Sequence, residues 1–452
     1  MSSDPVSSDP LTARGSGGRS PGKHRPLARI RRFAAGVDAA TPPGRDRVVD
    51  ALRAFAIVGV IGGHWLVTAL VPGSAGGTGV LRDTSPLASM PWSAPVSWVF
   101  QTLAVFFLVG GYSAARGYHG GYRAWLRKRL VRLARPVAVL AAVWVPVTVG
   151  LCLAGCPPQD VRTLLTLVID PLWFLGVYAG LTALTPVAIW LVRRFGPWAA
   201  VLPAAVVATA DLVRFGLGGP GWVGWINLPA GWLVPYLLGV AWALGSLRGP
   251  KGPARMLPAL MVIGGAGATA ALIALAGYPA SMVGVNGAAI SNLNPPTLAA
   301  VTFGVAQCGL ALLARDRLAR WMRRPVAWAA VATVNLSAMT LFLWHQTAFI
   351  AVTSAGLPAG RVPGLLTAPA GATWIAERVA WLPAFAVVLA GLWLLLHRFE
   401  HGASEHGAIR LVARHPIPVT RGSGHRLRRS RRARRAAGSR RRRSSLDGAR
   451  GR

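Results

Sequence analysis

The sequence predicts an all-α integral membrane protein of about ten transmembrane helices, with both termini cytoplasmic and a disordered basic tail at each end. Three observations lead there. Apolar residues make up 53 % of the 452-residue chain and charged residues only 14 %, whereas a soluble globular chain carries about 25 % charged residues. The apolar residues gather into ten runs, each long enough to approach the ~20 residues that a bilayer-spanning helix needs. The basic residues avoid those runs and favour alternate connections between them. The formal charge of +35 suggests nucleic acid until its distribution is read. Residues 1–47 hold nine Lys or Arg and residues 421–452 hold fourteen Arg, so almost half of the basic residues lie in two polar tails.

Along the chain, residues 1–44 are rich in Ser, Gly, Pro and Arg without apolar periodicity and read as a disordered basic arm. No apolar run follows early enough for a signal peptide. The ten runs cover 48–70, 96–115, 134–154, 172–192, 197–213, 228–246, 256–276, 297–314, 329–353 and 379–397, within a membrane domain of residues 45–400. The fifth is short and carries Asp211, and the sixth contains Pro229 and Pro235, which membrane helices tolerate. A cytoplasmic N-terminus puts 17 basic residues into cytoplasmic connections. Five (Arg82, Arg162, Arg214, Arg361 and Arg378) fall into the opposite ones. The positive-inside rule selects that orientation. The tail from 401 to 452 is Arg-rich and is expected to lie on anionic lipid head groups. It interleaves no aromatic residues for base stacking, so nucleic acid is not an expected partner. Arg dominance over Lys, with abundant Ala, Gly and Pro, points to a bacterial source and hence to the bacterial cytoplasmic membrane. Three cysteines build no disulfide framework, and the Cys152/Cys156 spacing is not a redox motif.

Chemistry concentrates in the first helix, RVVDALRAFAIVGVIGGHWL. Ionisable residues inside a membrane helix are costly and mark function by default. Arg53 and His64 lie about 20° apart around the helix and about 16 Å apart along it. Asp50 falls on the same stripe and can pair with Arg53 at i,i+3. One face therefore carries a cation near one membrane surface and an imidazole deep in the bilayer. Arg53 as a snorkelling anchor and His64 as a packing residue is the bland alternative.

These residues resemble the Arg-x10-His signature of the membrane-bound acyltransferase family 3. Further segments agree in order: FFLVGGYSAARGY is similar to that family's FFxxSG segment, RKRLVRLARP to its basic stretch, and DPLWFLGVY to its LWFL opening. SNLNPPT and LFLWHQ resemble segments of bacterial members. The resemblance covers about residues 45–400, with one departure, Gly110-Gly111 where Ser-Gly is usual. It implies O-acyl transfer from cytoplasmic acyl-CoA, acetyl-CoA being the expected donor, to a hydroxyl of a cell-surface glycan, a lipid-linked sugar or a secondary metabolite. A multi-pass transporter of a glycan, lipid or metabolite is the competing reading, and a non-catalytic scaffold a third.

An alcohol attacking a thioester must lose its proton, and His is the usual base near neutrality. His64 matches the signature histidine and is the first candidate. His345, counted from Trp328 along the ninth helix, reaches a similar depth of about 25 Å and is the second. Arg129 and Arg132 share a face at the start of the third helix and suit phosphate oxygens of the donor. Asp170 is expected either to orient a histidine or to cap a helix. Asp211 is expected to pair with Arg214, and Asn286, Asn292 and Asn294 lie in an outer loop where an acceptor could bind. No metal is expected: His397, Glu400, His401, Glu405 and His406 read as solvated charge beside the tail.

Overall fold

A computed structural model describes residues 25–73, 80–247, 255–285 and 287–400. It is 78 % helical, and the one sheet among the described residues is a two-stranded hairpin. The first element corrects the sequence reading. Residues expected to belong to a disordered arm form α1 (Arg25–Ala40), an amphipathic helix. Its apolar face runs through Leu27, Ile30, Phe33, Ala34 and Val37. Ala34 is buried and Val37 packs beside Met322 and Trp328, while Leu27, Ile30 and Phe33 stay exposed. The Ser/Gly/Pro-rich composition of the preceding residues hid this period.

α2 (Arg47–Val67) starts where Asp46 accepts the amides of Val48 and Val49, filling the orphan donors of the first turn. Arg47 ties α2 to α1 through Asp38 at 2.7 Å. After α2 the chain makes the hairpin β1 (Ala69–Pro72) and β2 (Leu81–Thr84). Then come the short α3 (Pro86–Ser89) and α4 (Ala94–Phe100), and the longer α5 (Leu103–Arg116) and α6 (Tyr122–Leu153). The next stretch is segmented: α7 (Pro158–Ile169), α8 (Leu172–Ala183), α9 (Thr185–Phe195) and α10 (Val201–Asp211). It departs from the expected spans. The fourth membrane-length segment runs 158–183 and the fifth 185–216; Pro186, in the first turn of α9, marks the break between them, and Pro171 and Pro197 open further helical turns inside them, at places hydropathy does not register. α11 (Asn227–Ala243), α12 (Met256–Ala276) and α13 (Leu298–Trp321) follow.

The ninth span is broken. α14 (Pro325–Leu336) and α15 (Ala338–Gly356) meet at Ser337 with a bend of 73°. α16 (Gly371–Glu400) completes the fold. Nine described helical segments are long and apolar enough to cross a membrane, ten with the bent pair as one span. α16 begins eight residues before the expected tenth span. Arg378, expected in a loop, is instead wholly buried: it donates to the Thr68 carbonyl at 2.5 Å and sits among the rings of Phe349, Trp374 and Phe385. It thus serves the carbonyl-rich C-terminus of α2.

α5 and α11 pack backbone to backbone. A Cβ on Gly111 would run into the Tyr236 carbonyl, and one on Gly239 into the Leu108 carbonyl. Small residues are what allow membrane helices to approach so closely. Gly111→Ala is therefore expected to cost about 1–3 kcal/mol or more, since backbone cannot yield as a side chain does, and to appear as a lowered thermal-unfolding midpoint in detergent. At the other end of α10, Asp211 does more than pair with Arg214, which lies 4.0 Å away. Its carboxylate accepts from Asn227 Nδ2 at 2.8 Å, Tyr278 Oη at 2.9 Å and the Leu298 amide at 2.8 Å, joining α10, α11 and α13. Burial, and then the Asp211 charge, push the Tyr278 phenol up, so it stays a donor.

Candidate active site

A cavity of about 1360 Å³ opens among α2, α5, α6, α8 and the α14–α15 break. Its upper wall is basic: Arg45, Arg47, Arg53, Arg116, Lys128, Arg129 and Arg132 all line it, against Asp46 and Asp50. The stripe of α2 read from the sequence forms one wall, with Asp50, Arg53 and Ile57 facing inward. Arg53 bridges two helices, donating through Nη1 to Asp50 Oδ1 at 3.2 Å and through Nη2 to Ser113 Oγ at 2.6 Å. Asp50 is buried and also receives Arg45 at 2.5 Å, so its charge is doubly compensated. Arg129 donates to the Ser113 carbonyl at 3.0 Å and lies over the Trp125 ring. Gly117 leaves the room it needs, since a Cβ there would be 2.7 Å from Arg129 Nη2. The cavity thus has a fixed basic rim suited to a polyanion.

The departure from the usual Ser-Gly pair also has a physical reason. A Cβ at Gly110 would lie 2.7 Å from Tyr178 Cε2, so the Tyr178 ring fills the place a serine side chain would take. The hydroxyl of α5 that meets Arg53 is that of Ser113, three residues on.

His64 does not line the cavity; two turns beyond Ile57 it meets His345, with ring centroids 5.0 Å apart. Straight-helix counting along the ninth span does not survive the bend at Ser337, yet α2 and α15 still bring these rings together. His345 is completely buried and its Nδ1 lies 2.6 Å from the Phe342 carbonyl. A carbonyl only accepts, so Nδ1 carries the proton and Nε2 holds the lone pair. That Nε2 is buried without a hydrogen-bond partner among the described residues. His64 is partly exposed, and its Nδ1 lies 3.3 Å from the Gln346 amide nitrogen. Trp65 fastens the pair by donating to the His345 carbonyl at 3.0 Å.

Aromatic rings line the cavity, and one of them, Phe342, approaches the histidines. Phe106, Phe174, Tyr178 and Phe342 line its floor. Phe174 packs on Phe106 at 4.8 Å and on Phe342 at 5.4 Å, and the Phe342 ring lies 6.0 Å from that of His345.

Asp170 does not join this site. It is exposed between α7 and α8, shares a shallow groove with Arg162, caps neither helix through its side chain and bonds neither histidine among the described residues. The Phe342 carbonyl orients His345 instead. Asn292 is also committed elsewhere, donating to Pro279 and Ser281 carbonyls and accepting from Thr297. Asn286, His401, Glu405 and His406 lie outside the described residues. Sequence reasoning missed Ser113, Gln346 and the floor rings. Ser113 stood inside the quoted FFLVGGYSAARGY segment and lies on the helix face that the cavity exposes.

The family described as an acyltransferase domain, acyltransferase family 3, matches residues 46–397. The chain belongs to that family. It is a multi-pass membrane acyltransferase. Comparison with curated proteins and with solved structures finds no match.

Proposed function

We propose that this enzyme carries an acyl group, acetyl by preference, from acyl-CoA to a hydroxyl of a cell-surface glycan, lipid-linked sugar or secondary metabolite in the bacterial cytoplasmic membrane. The observation that carries the reading is the basic-rimmed cavity ending beneath a histidine pair. The donor's phosphates rest on Arg129 and Arg132, with Arg53 deeper on the same wall, and the pantetheine arm reaches toward the floor. The basic asymmetry of the connections supports a cavity mouth on the cytoplasmic side. The exposed Leu27, Ile30 and Phe33 of α1, beside Arg29, Arg31 and Arg32, suit an interfacial helix on anionic lipid.

In the transfer step the acceptor oxygen attacks the thioester carbonyl, the new C–O bond forms and the C–S bond breaks. His64, the partly exposed residue of the pair, takes the hydroxyl proton, and the proton leaves on the sulfur of free CoA. His345 supports His64 by contact, its own tautomer fixed by Phe342. The test is incubation of the purified chain with labelled acetyl-CoA and candidate acceptors, read by product mass. The paired change Arg129→Ala with Arg132→Ala is expected to raise the KM for acyl-CoA roughly 10- to 100-fold, the worth of one or two charged hydrogen bonds, and the acceptor KM far less. An unchanged donor KM would leave these arginines as topology signals only.

A further inference from the structure

We infer that the Phe106–Phe174–Phe342 layer selects the length of the acyl group: an acetyl group passes between these rings to the histidine pair, and longer chains are held back. The inference rests on the acyl-CoA reading above and names the determinant of its donor specificity.

Three observations carry it. These rings line the cavity, and neither His64 nor His345 does. Phe342 links the two, lining the cavity while its ring centroid lies 6.0 Å from that of His345. The ring cluster itself is closely packed: Phe107 lies 5.1 Å from Phe174 and stacks on Trp232 at 5.1 Å, and Phe174 and Phe342 are both buried. A carbonyl carrying one methyl group needs only ring rotation to cross such a layer. Each further methylene needs displaced side chains, and an apolar site discriminates one methylene by roughly 10- to 200-fold. Rotation of the Phe342 ring leaves its main-chain carbonyl in place, so His345 keeps its tautomer while the layer opens.

The experiment is calorimetric titration of the full chain in nanodiscs with CoA, acetyl-CoA, butyryl-CoA and hexanoyl-CoA, for the natural sequence, Phe342→Ala and Phe174→Ala. The natural enzyme is expected to bind hexanoyl-CoA at least tenfold more weakly than acetyl-CoA. Each variant is expected to narrow that gap by tenfold or more while still binding CoA. Equal affinities in the natural enzyme, or a gap that neither variant narrows, would overturn the selector while leaving the donor site standing. Absence of any CoA binding to the natural enzyme would overturn the donor reading and the selector with it. CoA affinity reports folding of each variant. If Phe342→Ala loses it, Phe342→Leu, which keeps an apolar branched side chain, carries the same comparison.

Discussion

His64→Ala is expected to lower acyl transfer by about 10²–10⁴-fold, the range for loss of a positioned general base, with the protein still folded and membrane-inserted. The site gives this expectation its shape. Of the two contacting histidines His64 is the partly exposed residue and His345 the completely buried one, which makes His64 the candidate to meet an acceptor hydroxyl. Removing His64 leaves the His345–Phe342 bond intact, which is why the fold should persist. His345→Ala should also reduce the rate but with a further signature: it opens a cavity in a fully buried position and lowers the unfolding midpoint as well. Single-turnover rates and thermal unfolding on the same preparations separate the two effects. A His64→Ala enzyme that retains more than about a tenth of the natural rate would remove His64 from the role of base.

The second large effect concerns Arg53. Its guanidinium uses two different nitrogens, one on Asp50 and one on Ser113, a fork that a lysine ammonium on a flexible stem does not reproduce. Arg53→Lys keeps the charge, yet it is expected to lower kcat/KM for acyl-CoA by roughly 10- to 100-fold, the equivalent of one charged hydrogen bond lost. Arg53→Ala should fall further because Asp50 then keeps only Arg45. Ser113→Ala isolates the other half of the fork and should give a smaller loss in the same direction. Donor kinetics for the three variants check the order. An Arg53→Lys enzyme indistinguishable from the natural one would show that charge alone matters at this position.

What could be read from the sequence followed the physics of a single helix. Asp50, Arg53 and His64 share a stripe of α2 because periodicity fixes which residues face one way, and the cavity opens along that stripe. The meeting of His64 with His345 depends on two helices packing across 280 intervening residues and on a 73° break at Ser337, and no local pattern encodes either. Arg378 ended a hydropathy run and so looked like a loop cation. Its burial depends on Phe349, Trp374 and Phe385 and on the end of α2, all of them tertiary. α1 is the opposite case. The spacing of Leu27, Ile30, Phe33, Ala34 and Val37 was present in the sequence, and the composition of the residues before it concealed the signal. The floor rings come from three separate helices, α5, α8 and α15, so each reads by itself as ordinary apolar packing.

In the proposed complex the acyl end of an acyl-CoA lies at the aromatic floor beneath the histidine pair. Photo-crosslinking tests it without knowledge of the acceptor. A CoA thioester bearing a diazirine on a short acyl group is irradiated with the full chain in nanodiscs, and the adducts are mapped by mass spectrometry. Labelling is expected on α2, α5, α8 and α15 at and around Ile57, Phe106, Phe174 and Phe342, suppressed by excess acetyl-CoA and weakened in the Arg129/Arg132 double variant. Adducts confined to exposed residues away from the cavity, such as Leu153 or Leu275, or adducts that acetyl-CoA does not suppress, would rule this placement out.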